Sequence, residues 1–314
     1  MTESVFETRK LQEIYDEIKK LYQSDDRPWI LGFSGGKDST CMAQLVWNAI
    51  AQLEEEKRKK EIYIIGCDTL VESPKIVERL KNTLSDMQGQ AKEQQLPIST
   101  HMVKPNLGDT FWVLLLGKGY PAPSSQFRWC TERLKIKNAD RFILDTVSKF
   151  GEAIVLLGTR KDESQSRQQL MELYEIEGSL LNRHSKFAQT YMYCPLKDFI
   201  TDDVWNYLLQ NKNPWKGNNR DLLAMYQEAN AAECPLVVDT STPSCGNSRF
   251  GCWTCTVVAR DKAMDGLLEG GEDWLEPLAE IREELKRTQE PEVKLLVRDH
   301  KRRNGKVMFT WGGD

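Results

Sequence analysis

The segment FSGGKDST at 33–40 has the residue types of a phosphate-binding loop, and it directly follows the apolar run WILG at 29–32. Glycines let backbone N–H groups approach phosphate oxygens closely, and the amino end of a following helix adds partial positive charge. Lys37 adds a full positive charge, and neighbouring hydroxyl groups can donate further hydrogen bonds. The pattern predicts a nucleotide-binding loop formed by Ser34, Gly35, Gly36, Lys37, Asp38 and Ser39.

The spacing within this loop differs from that of the two commonest nucleotide-binding fingerprints. A Walker loop needs a glycine, four spacers and then Gly-Lys-Ser/Thr, whereas a dinucleotide fingerprint needs G-x-G-x-x-G. Neither pattern occurs at 33–40. A glycine-rich turn between a strand and a helix, without a ligand, is the alternative interpretation, and Lys37 argues against it.

Further charged or capping residues follow other apolar runs of the chain. Asp68 ends the run EIYIIGCD, where a carboxylate can meet a nucleotide or its Mg²⁺. Gly158 and Arg160 stand in the segment GTRKDESQSR, which follows another apolar run. Thr201, in CPLKDFITDDVWNYL, is the expected N-cap of an amphipathic helix. Each segment alone is equally well explained by solvated charge or by an ordinary helix cap.

The cysteines are unevenly distributed, which indicates a metal or catalytic site. Four of the eight are scattered, namely Cys41, Cys67, Cys130 and Cys194. The other four lie close together, namely Cys234, Cys245, Cys252 and Cys255. Because disulfides are rare in a reducing cytosol, such a group indicates metal binding or catalysis, and C-x-x-C spacing lets two thiolates hold one centre. Zinc and an iron–sulfur cluster both suit thiolates, and a buried group of free cysteines is the structural alternative.

The composition is that of a soluble protein with one large domain or two modest ones. The 314 residues are 40% hydrophobic and 29% charged, with a formal net charge of −4. No apolar run approaches membrane-spanning length, and the amino terminus lacks the apolar centre of a signal peptide, so we expect a cytoplasmic protein without a membrane partner. Any nucleic-acid contact must come from a local basic patch. The stretch VRDHKRRNGK at 297–306 is the best candidate, although a solvated charged face is its default interpretation.

Strands and helices are expected to alternate along the first part of the chain. Strands are predicted at 29–33, 61–68, 98–104 and 153–159. Helices are predicted at 8–22, 38–56, 73–94 and 129–148. This order predicts an α/β fold with a parallel twisted sheet and helices on both faces. Such sheets bind ligands at the carboxyl ends of their strands, where the phosphate loop, Asp68 and Arg160 all lie.

The alternation is expected to stop near residue 190, and this sets the predicted domain division. We predict a nucleotide-binding domain with an N-terminal helix at 1–190, and a loop-rich, helical part at 191–314 that holds the metal cluster. Helices in this second part are expected near 201–210, 217–231 and 273–289.

The segment SGGKDS after a strand resembles the PP-loop of the ATP pyrophosphatase superfamily, whose fold is adenine nucleotide alpha hydrolase-like. Together with the segments around Asp68, Gly158 and Thr201, in this order, it is similar to the phosphoadenosine-phosphosulfate reductase branch over about residues 25–260. The resemblance implies that the loop holds pyrophosphate while ATP, with Mg²⁺, is cleaved between its α- and β-phosphates. It implies nucleotide contacts for the loop residues, Asp68, Gly158 and Arg160, and catalytic roles for Lys37, Asp38, Asp68 and Arg160.

The same branch implies the ligands of the metal centre. In it, a cysteine ahead of a lysine-bearing helix joins a distant C-x-x-C pair to hold a 4Fe-4S cluster. Cys130, in RWCTERLK, stands at that place, and Cys234 is the competing candidate. The resemblance therefore implies a 4Fe-4S cluster held by Cys130, Cys245, Cys252 and Cys255.

The segments RWCTERLK and CGNSRFGCWTCTVV together closely resemble the DndC-type sulfurtransferases of bacterial DNA phosphorothioation. In that system sulfur replaces a non-bridging phosphate oxygen of DNA, and adenylylation by ATP turns this oxygen into a leaving group. The resemblance implies three kinds of partner, namely DNA, a cysteine desulfurase that donates sulfur, and other phosphorothioation-system proteins. Chains of this type normally continue well beyond residue 314, so we expect a truncated C-terminus and a DNA-binding machinery that is partly absent.

Two other functions fit parts of the sequence. A phosphoadenosine-phosphosulfate or adenylylsulfate reductase would bind the nucleotide as its substrate without hydrolysing ATP. It needs a redox-active cysteine, commonly in a C-terminal tail, and no cysteine follows Cys255. A non-catalytic scaffold would bind a nucleotide, an iron–sulfur cluster and DNA. A scaffold has no need of Ser34, Lys37, Asp38 and Ser39 together.

Overall fold

The computed structural model describes residues 3–229 and 251–297. Its strands are β1 Trp29–Gly32, β2 Ile62–Cys67, β3 Ile98–Val103, β4 Ala153–Leu156, β5 Asn182–Arg183 and β6 Thr190–Tyr193. Its α-helices are α1 Val5–Thr8, α2 Leu11–Gln23, α3 Lys37–Ala51, α4 Pro74–Glu93, α5 Lys137–Phe150, α6 Gln165–Leu173, α7 Thr201–Gln210, α8 Asn219–Ala229, α9 Lys262–Glu269, α10 Glu276–Arg287 and α11 Pro291–Val297. Short π-helical turns lie at Val113–Gly117 and Thr131–Ile136, and the second of them leads into α5.

A six-stranded sheet organises the fold, in the order β3-β2-β1-β4-β6-β5. β1 pairs in parallel with both of its neighbours, so that Leu31 stands beside Ile64 on one side and Leu156 on the other. The pairs β2–β3 and β4–β6 are also parallel, and β5 is antiparallel to β6. The predicted α/β class with a mostly parallel sheet is confirmed.

Alternate side chains of the central strands face two different cores. Trp29 and Leu31 belong to a large core that also includes side chains of α2, α3, α4 and α7. Ile30 and Val155 belong to a smaller core with Ile143 of α5. Because successive residues of a strand point to opposite faces, this division places helices on both faces of the sheet.

The direction of the chain through the sheet reverses between β1 and β4. From β1 the chain adds β2 and then β3 on one side, and it returns to add β4 and then β6 on the other side. In parallel sheets, the crevice outside the carboxyl ends of the strands at such a switch point is the usual ligand site. The loops that follow β1 and β4 therefore border the expected crevice.

Strands β5 and β6 were not predicted, but β6 is the last strand among the described residues, so the alternation stops close to residue 190 as the sequence pattern predicts. β6 extends the sheet beside β4, with Leu156 next to Tyr193. Leu222 of α8 belongs to the same large core as β1. β1 and β4 are equally short, but their segments WILG and AIVL are mostly apolar, whereas the segment TYMY of β6 carries a threonine and two tyrosines. The division into domains at residue 190 stays a prediction.

Residues 252–258 are attached both to the C-terminal helices and to the sheet domain. Arg282 of α10 is buried, and its guanidinium donates to Cys255 O at 2.9 Å and to Val258 O at 2.8 Å. Thr256 Oγ1 donates to Pro123 O at 2.6 Å. Within residues 3–229 and 251–297, no helix has the length and apolar character needed to cross a membrane.

Candidate functional site

The predicted phosphate loop is the turn between β1 and α3, at the carboxyl edge of the sheet. Gly35 has a φ of +74°, a conformation that favours glycine because it has no Cβ. Gly36 is the N-cap of α3, and a Cβ at this residue would lie 3.2 Å from Tyr226 Oη. The N–H groups of the first turn of α3, together with the positive end of its dipole, therefore lie at the switch point of the sheet.

The two serine hydroxyls of the loop are bonded to each other and to the backbone. Ser34 N donates to Ser39 Oγ at 3.2 Å, and the two Oγ atoms lie 3.0 Å apart. Ser39 Oγ also donates to Gly36 O at 3.1 Å. These bonds close the loop into a compact turn. Contact between either hydroxyl and a phosphate would require one of these bonds to be exchanged.

Lys37, Asp38 and Arg160 form a connected charge cluster beside the loop. Lys37 Nζ lies 2.8 Å from Asp38 Oδ2, and Arg160 Nε donates to Asp38 Oδ1 at 2.9 Å. Burial raises the pKa of Asp38, but the charges of Lys37 and Arg160 outweigh burial, so the pKa lies below its ordinary value. Asp38 is therefore ionised, and it orients the Lys37 ammonium group.

Arg160 connects the charge cluster to α7. Only 3% of its side chain is exposed. In addition to its bond with Asp38, its guanidinium donates to Phe199 O at 3.3 Å and to Thr201 Oγ1 at 3.1 Å. The predicted N-cap was wrong, because Ile200 is the cap residue and the Thr201 hydroxyl accepts from Arg160 instead. These contacts show that Arg160 positions Asp38, and its contact with a nucleotide stays a prediction.

Gly158 lets the end of β4 pack against the start of α3. A Cβ at this residue would lie 2.9 Å from Asp38 O and 3.2 Å from Ser39 N. Any larger residue would push these two backbone segments apart. The close packing by itself explains why glycine stands here, and a direct contact between Gly158 and a nucleotide stays a prediction.

Asp68 lies at the carboxyl end of β2, the strand next to β1, and it is buried. Its Oδ1 accepts from Leu70 N at 2.9 Å, and its Oδ2 lies 3.6 Å from Lys104 Nζ. In the part of the chain that the structure describes, no hydrogen bond or ion pair joins Asp68 to the phosphate loop. A carboxylate is the type of ligand that Mg²⁺ prefers, and a role with Mg²⁺ or ATP stays a prediction.

The C-x-x-C segment packs onto the chain that follows β2. Cys252 forms an isolated antiparallel bridge with Glu72, and Trp253 N donates to Val71 O at 3.0 Å. Cys255 N donates to Cys252 O at 3.0 Å, which closes the turn between the two cysteines. The predicted metal-binding segment is therefore attached to the same edge of the sheet as Asp68.

Cys130 lies close to the C-x-x-C pair, although more than a hundred residues separate them in the sequence. It packs against an apolar cluster that includes Phe111 and Trp129. Burial raises the pKa of the Cys130 thiol, and the nearby Cys255 raises it further. Burial is also the main reason why the pKa of Cys252 rises to about 12, and Cys255 adds to this rise. Cys130 and Cys252 therefore pack against one apolar cluster, and Cys255 lies near both of them.

The fourth predicted ligand, Cys245, lies outside the described residues, as do its competitor Cys234 and the basic stretch at 298–306. Among residues 3–229 and 251–297, no group of three or more His, Cys, Asp or Glu side chains could hold a metal ion. The donor type of Cys130, Cys252 and Cys255 fits zinc or an iron–sulfur cluster, but these residues do not by themselves form a ligand set. The metal centre stays a prediction.

Glu72 and Lys135 form an ion pair beside Cys252; Lys135 ends the segment RWCTERLK, but nothing in the sequence indicates Glu72 as its partner. Lys135 Nζ lies 3.0 Å from Glu72 Oε1, and the same oxygen lies 3.7 Å from Cys252 Sγ. Burial lowers the pKa of Lys135, but the charge of Glu72 outweighs burial and raises the pKa overall. Thr69 Oγ1 lies 3.4 Å from Cys252 Sγ. The pair therefore joins the end of β2 to the cysteine region.

Tyr226 of α8 is a second residue that the sequence does not indicate. Lys37 N donates to Tyr226 Oη at 3.3 Å, and Lys37 Nζ lies 5.9 Å from the centroid of the tyrosine ring. Tyr226 follows Lys37 by 189 residues, so no local signal could have revealed the contact.

Comparisons with known proteins find a family model that matches most of the chain. The family model described as "Phosphoadenosine phosphosulfate reductase domain" matches residues 28–258. An uncharacterized protein of Methanocaldococcus jannaschii is 27% identical over 198 residues, which are 63% of this chain and 35% of that protein. The chain thus spans about a third of the length of this curated relative.

Solved structures show weaker similarity. The phosphoadenylyl-sulfate reductase of Candida auris, in a phosphate complex, has a TM-score of 0.43 and 15% identity, and the match covers 71% of this chain and 88% of that chain. The U34-tRNA thiolase NcsA of Methanococcus maripaludis, with its 4Fe-4S cluster, has a TM-score of 0.38 and 12% identity, and the match covers 97% of this chain and 83% of that chain.

Proposed function

The chain belongs to the phosphoadenosine phosphosulfate reductase domain family, and we propose that it is an ATP-dependent sulfurtransferase that cleaves ATP to AMP and pyrophosphate. The observation that carries this proposal is the loop at 34–39. Its glycines expose the amino end of α3 at the switch point of the sheet, and Lys37 stands beside it, held by Asp38. This arrangement suits a pyrophosphate leaving group, because N–H groups and a fixed cation stabilise the charge that develops as the bond breaks.

Each group at the site has a distinct role in this reaction. The loop N–H groups and the Lys37 ammonium bind the phosphates and stabilise the departing pyrophosphate. Asp38 keeps Lys37 oriented, and Arg160 keeps Asp38 in place. Mg²⁺ would enter with ATP and partly neutralise its phosphates, and Asp68 is the candidate carboxylate for the nucleotide or its Mg²⁺.

The proposed acceptor is a phosphate oxygen of DNA, as in phosphorothioation. A non-bridging oxygen of the DNA phosphate attacks the α-phosphorus of ATP, and pyrophosphate leaves. A sulfur nucleophile, supplied through a cysteine desulfurase, then attacks the phosphorus of the DNA, and the oxygen departs as part of AMP. The resemblance of RWCTERLK and CGNSRFGCWTCTVV to DndC-type chains supports this acceptor, and other phosphorothioation-system proteins would help to select the DNA.

We also propose that Cys130, Cys245, Cys252 and Cys255 hold a 4Fe-4S cluster. Support comes from the closeness of the three described thiols and from their attachment to the chain after β2. When bound, such a cluster would join the cysteine region to the sheet domain and would stabilise the folded chain, because its ligands are dispersed in the unfolded state.

A reductase of adenylylated sulfate is the second candidate, and the family match favours it. In that reaction the bound nucleotide is itself the substrate, and its sulfate group is reduced. The phosphate loop would then bind a phosphate of the nucleotide product rather than a pyrophosphate leaving group. The two functions differ in what happens to ATP, so one product assay separates them.

The deciding experiment incubates the protein with ATP and Mg²⁺, with and without DNA, and identifies the products. We expect AMP and pyrophosphate. Lys37→Ala should reduce turnover by about 10²–10³-fold, the loss caused by removing one transition-state donor, and Asp38→Ala should also reduce turnover because the Lys37 ammonium loses the partner that orients it. Lys161→Ala is the matched control, because its ammonium pairs with Asp198 at the surface. ADP as the main product would contradict the proposal, and reduction of adenylylated sulfate without ATP cleavage would favour the second candidate.

A further inference from the structure

The hydroxyl of Tyr226 marks a place where an anionic oxygen can approach the phosphate loop. Lys37 N, in the first turn of α3, donates to Tyr226 Oη at 3.3 Å. The same oxygen would lie 3.2 Å from a Cβ on Gly36. Backbone N–H groups at a helix amino end are the groups that bind phosphate oxygens in nucleotide sites. Tyr226 Oη therefore lies where an acceptor oxygen bonds to the amino end of α3.

The position of Tyr226 is fixed by buried contacts of α8. Gln44 Nε2 donates to Asn219 Oδ1 at 2.7 Å, and Asn219 Nδ2 donates to Gln44 Oε1 at 3.1 Å. The ring of Tyr226 packs edge-on against Trp205, with 5.4 Å between the ring centroids. These contacts hold α8 against α3 and α7, so the residues next to Tyr226 also have defined places beside the loop.

Arg79 of α4 contacts α8 next to Tyr226. Its Nη1 donates to Met225 Sδ at 3.1 Å, and Met225 is the residue that precedes Tyr226. Leu80, which follows Arg79 in α4, lies against the loop. Its Cδ1 would be 3.9 Å from a Cβ on Gly35. Arg79 therefore stands on a helix that contacts the loop, and its guanidinium reaches the helix that carries Tyr226.

The guanidinium of Arg79 has weak partners for a half-buried cation. A thioether sulfur is a weak acceptor, whereas a guanidinium offers a planar set of N–H donors that matches carboxylate or phosphate. In the described ranges Arg79 has no ion pair, and Asp221 acts on it only at longer range. Burial lowers the pKa of Arg79 below its ordinary value, because its charge is incompletely solvated. By contrast, the buried Arg282 bonds to two backbone carbonyls.

We propose that Arg79 binds the pyrophosphate portion of the nucleotide, together with the Tyr226 hydroxyl, Lys37 and the N–H groups of the loop. The identity of this ligand rests on the proposed function, in which pyrophosphate is the leaving group. A pyrophosphate would give the guanidinium the strong acceptors that the protein itself does not supply. Arg79 would then recognise the tail of ATP, while the adenosine part binds elsewhere in the crevice.

The test measures binding of inorganic pyrophosphate to the whole chain by titration calorimetry. Arg79→Met removes the charge but keeps most of the apolar stem, and it should weaken pyrophosphate binding about 10- to 100-fold, the range for one or two charge-assisted hydrogen bonds. Lys81→Met is the matched control, since it removes an exposed charge from the same helix two residues away, on the opposite side. It should change binding by about twofold or less, because screening weakens distant surface charges.

Two further measurements separate ligand binding from a structural role. Arg79→Lys keeps a charge without the planar donor set, so its affinity should fall between those of the wild type and Arg79→Met. AMP lacks the pyrophosphate group, so its affinity should not change in Arg79→Met. Thermal unfolding of each variant checks that the chain is folded.

Unchanged pyrophosphate binding in a folded Arg79→Met variant would overturn the proposal. Equal weakening in Lys81→Met, or a parallel loss of AMP binding, would also overturn it, because net charge or structure would then explain the result. If ATP yields ADP and phosphate, the proposed function fails. The pyrophosphate titration still decides the role of Arg79 in that case.

Discussion

Arg160→Met should destabilise the protein, because it removes a partner of a mostly buried charge pair. The side chain of Arg160 is 3% exposed and that of Asp38 is 22% exposed. Removing one partner of a buried ion pair costs about 3–5 kcal/mol. Asp38 keeps Lys37 and some contact with water, so we expect a loss of about 3 kcal/mol in the free energy of unfolding. At about 2 °C per kcal/mol for a chain of this size, the melting temperature should fall by about 6 °C.

Urea unfolding and calorimetry measure this loss, and the adjacent residue provides the control. Lys161 Nζ lies 2.9 Å from Asp198, but its side chain is 39% exposed. Exposed pairs contribute about 0–1 kcal/mol, so Lys161→Met should be nearly neutral. Asp38→Asn should lower the free energy of unfolding less in the Arg160→Met variant than in the wild type. In the Arg160→Met variant, Asp38→Asn removes a charge that has already lost one of its partners. In the wild type, the same substitution leaves the Arg160 guanidinium without its carboxylate partner.

The pH dependence gives a second check on the same pair. Burial opposes ionisation of Asp38, but Lys37 and Arg160 outweigh burial and lower its pKa in the folded state. A lowered carboxyl pKa contributes stability above the unfolded value of about 3.9, and this contribution is lost as the pH falls through the folded pKa. The difference between the wild type and Arg160→Met should be full at pH 7 and should shrink below about pH 4. Equal stability at pH 7, or a difference independent of pH, would refute the reasoning.

Three further outcomes test other parts of the molecule. Anaerobically purified protein should be brown, with about four irons per chain. Serine at any of the four predicted ligands should remove the colour, whereas Cys41→Ala in the core of α3 should not. One tightly bound zinc, or no metal even after reconstitution with iron and sulfide, would contradict the cluster. Gly158→Ala should lower the free energy of unfolding by about 1–3 kcal/mol, because the added methyl would clash with Asp38 O. Gly89→Ala should instead stabilise α4 by up to about 1 kcal/mol, because no atom lies within 4 Å of the added methyl. Equal effects of the two substitutions would refute the close-packing argument. Neutralising three cations of 298–306 should weaken DNA binding and flatten its salt dependence while ATP cleavage persists; an unchanged slope would support a solvated face.

The fold class could be predicted because each strand–helix unit carries its own local signals. The helix predicted at 73–94 is α4 Pro74–Glu93, and the strand predicted at 98–104 is β3 Ile98–Val103. α4 has 20 residues, which are enough to define a period, and β3 includes the β-branched residues Ile98, Thr100 and Val103. β6 was missed because its segment TYMY is not an apolar run like WILG of β1 or AIVL of β4, and its place in the sheet comes from pairing with β4.

The candidate site could be predicted only in part. The glycines of the loop follow from backbone conformation and close approach, which act over a few residues, and Gly35 and Gly36 show both effects. Thr201 was assigned as an N-cap because a cap is a local pattern. A buried guanidinium from another part of the chain binds its hydroxyl instead. A local rule could not anticipate that partner.

The sequence by itself determined the type of phosphate loop, the alternation that leads to a mostly parallel sheet, and the C-x-x-C turn. Only the tertiary structure decided which side chains meet at these features. Arg160 contacts Asp38 across 122 residues, and Tyr226 contacts Lys37 across 189. Turn and helix preferences act within a few residues, whereas these contacts depend on which strand ends lie side by side and which helices cover them. This physical difference is why the loop could be predicted from the sequence and the contacts that support it could not.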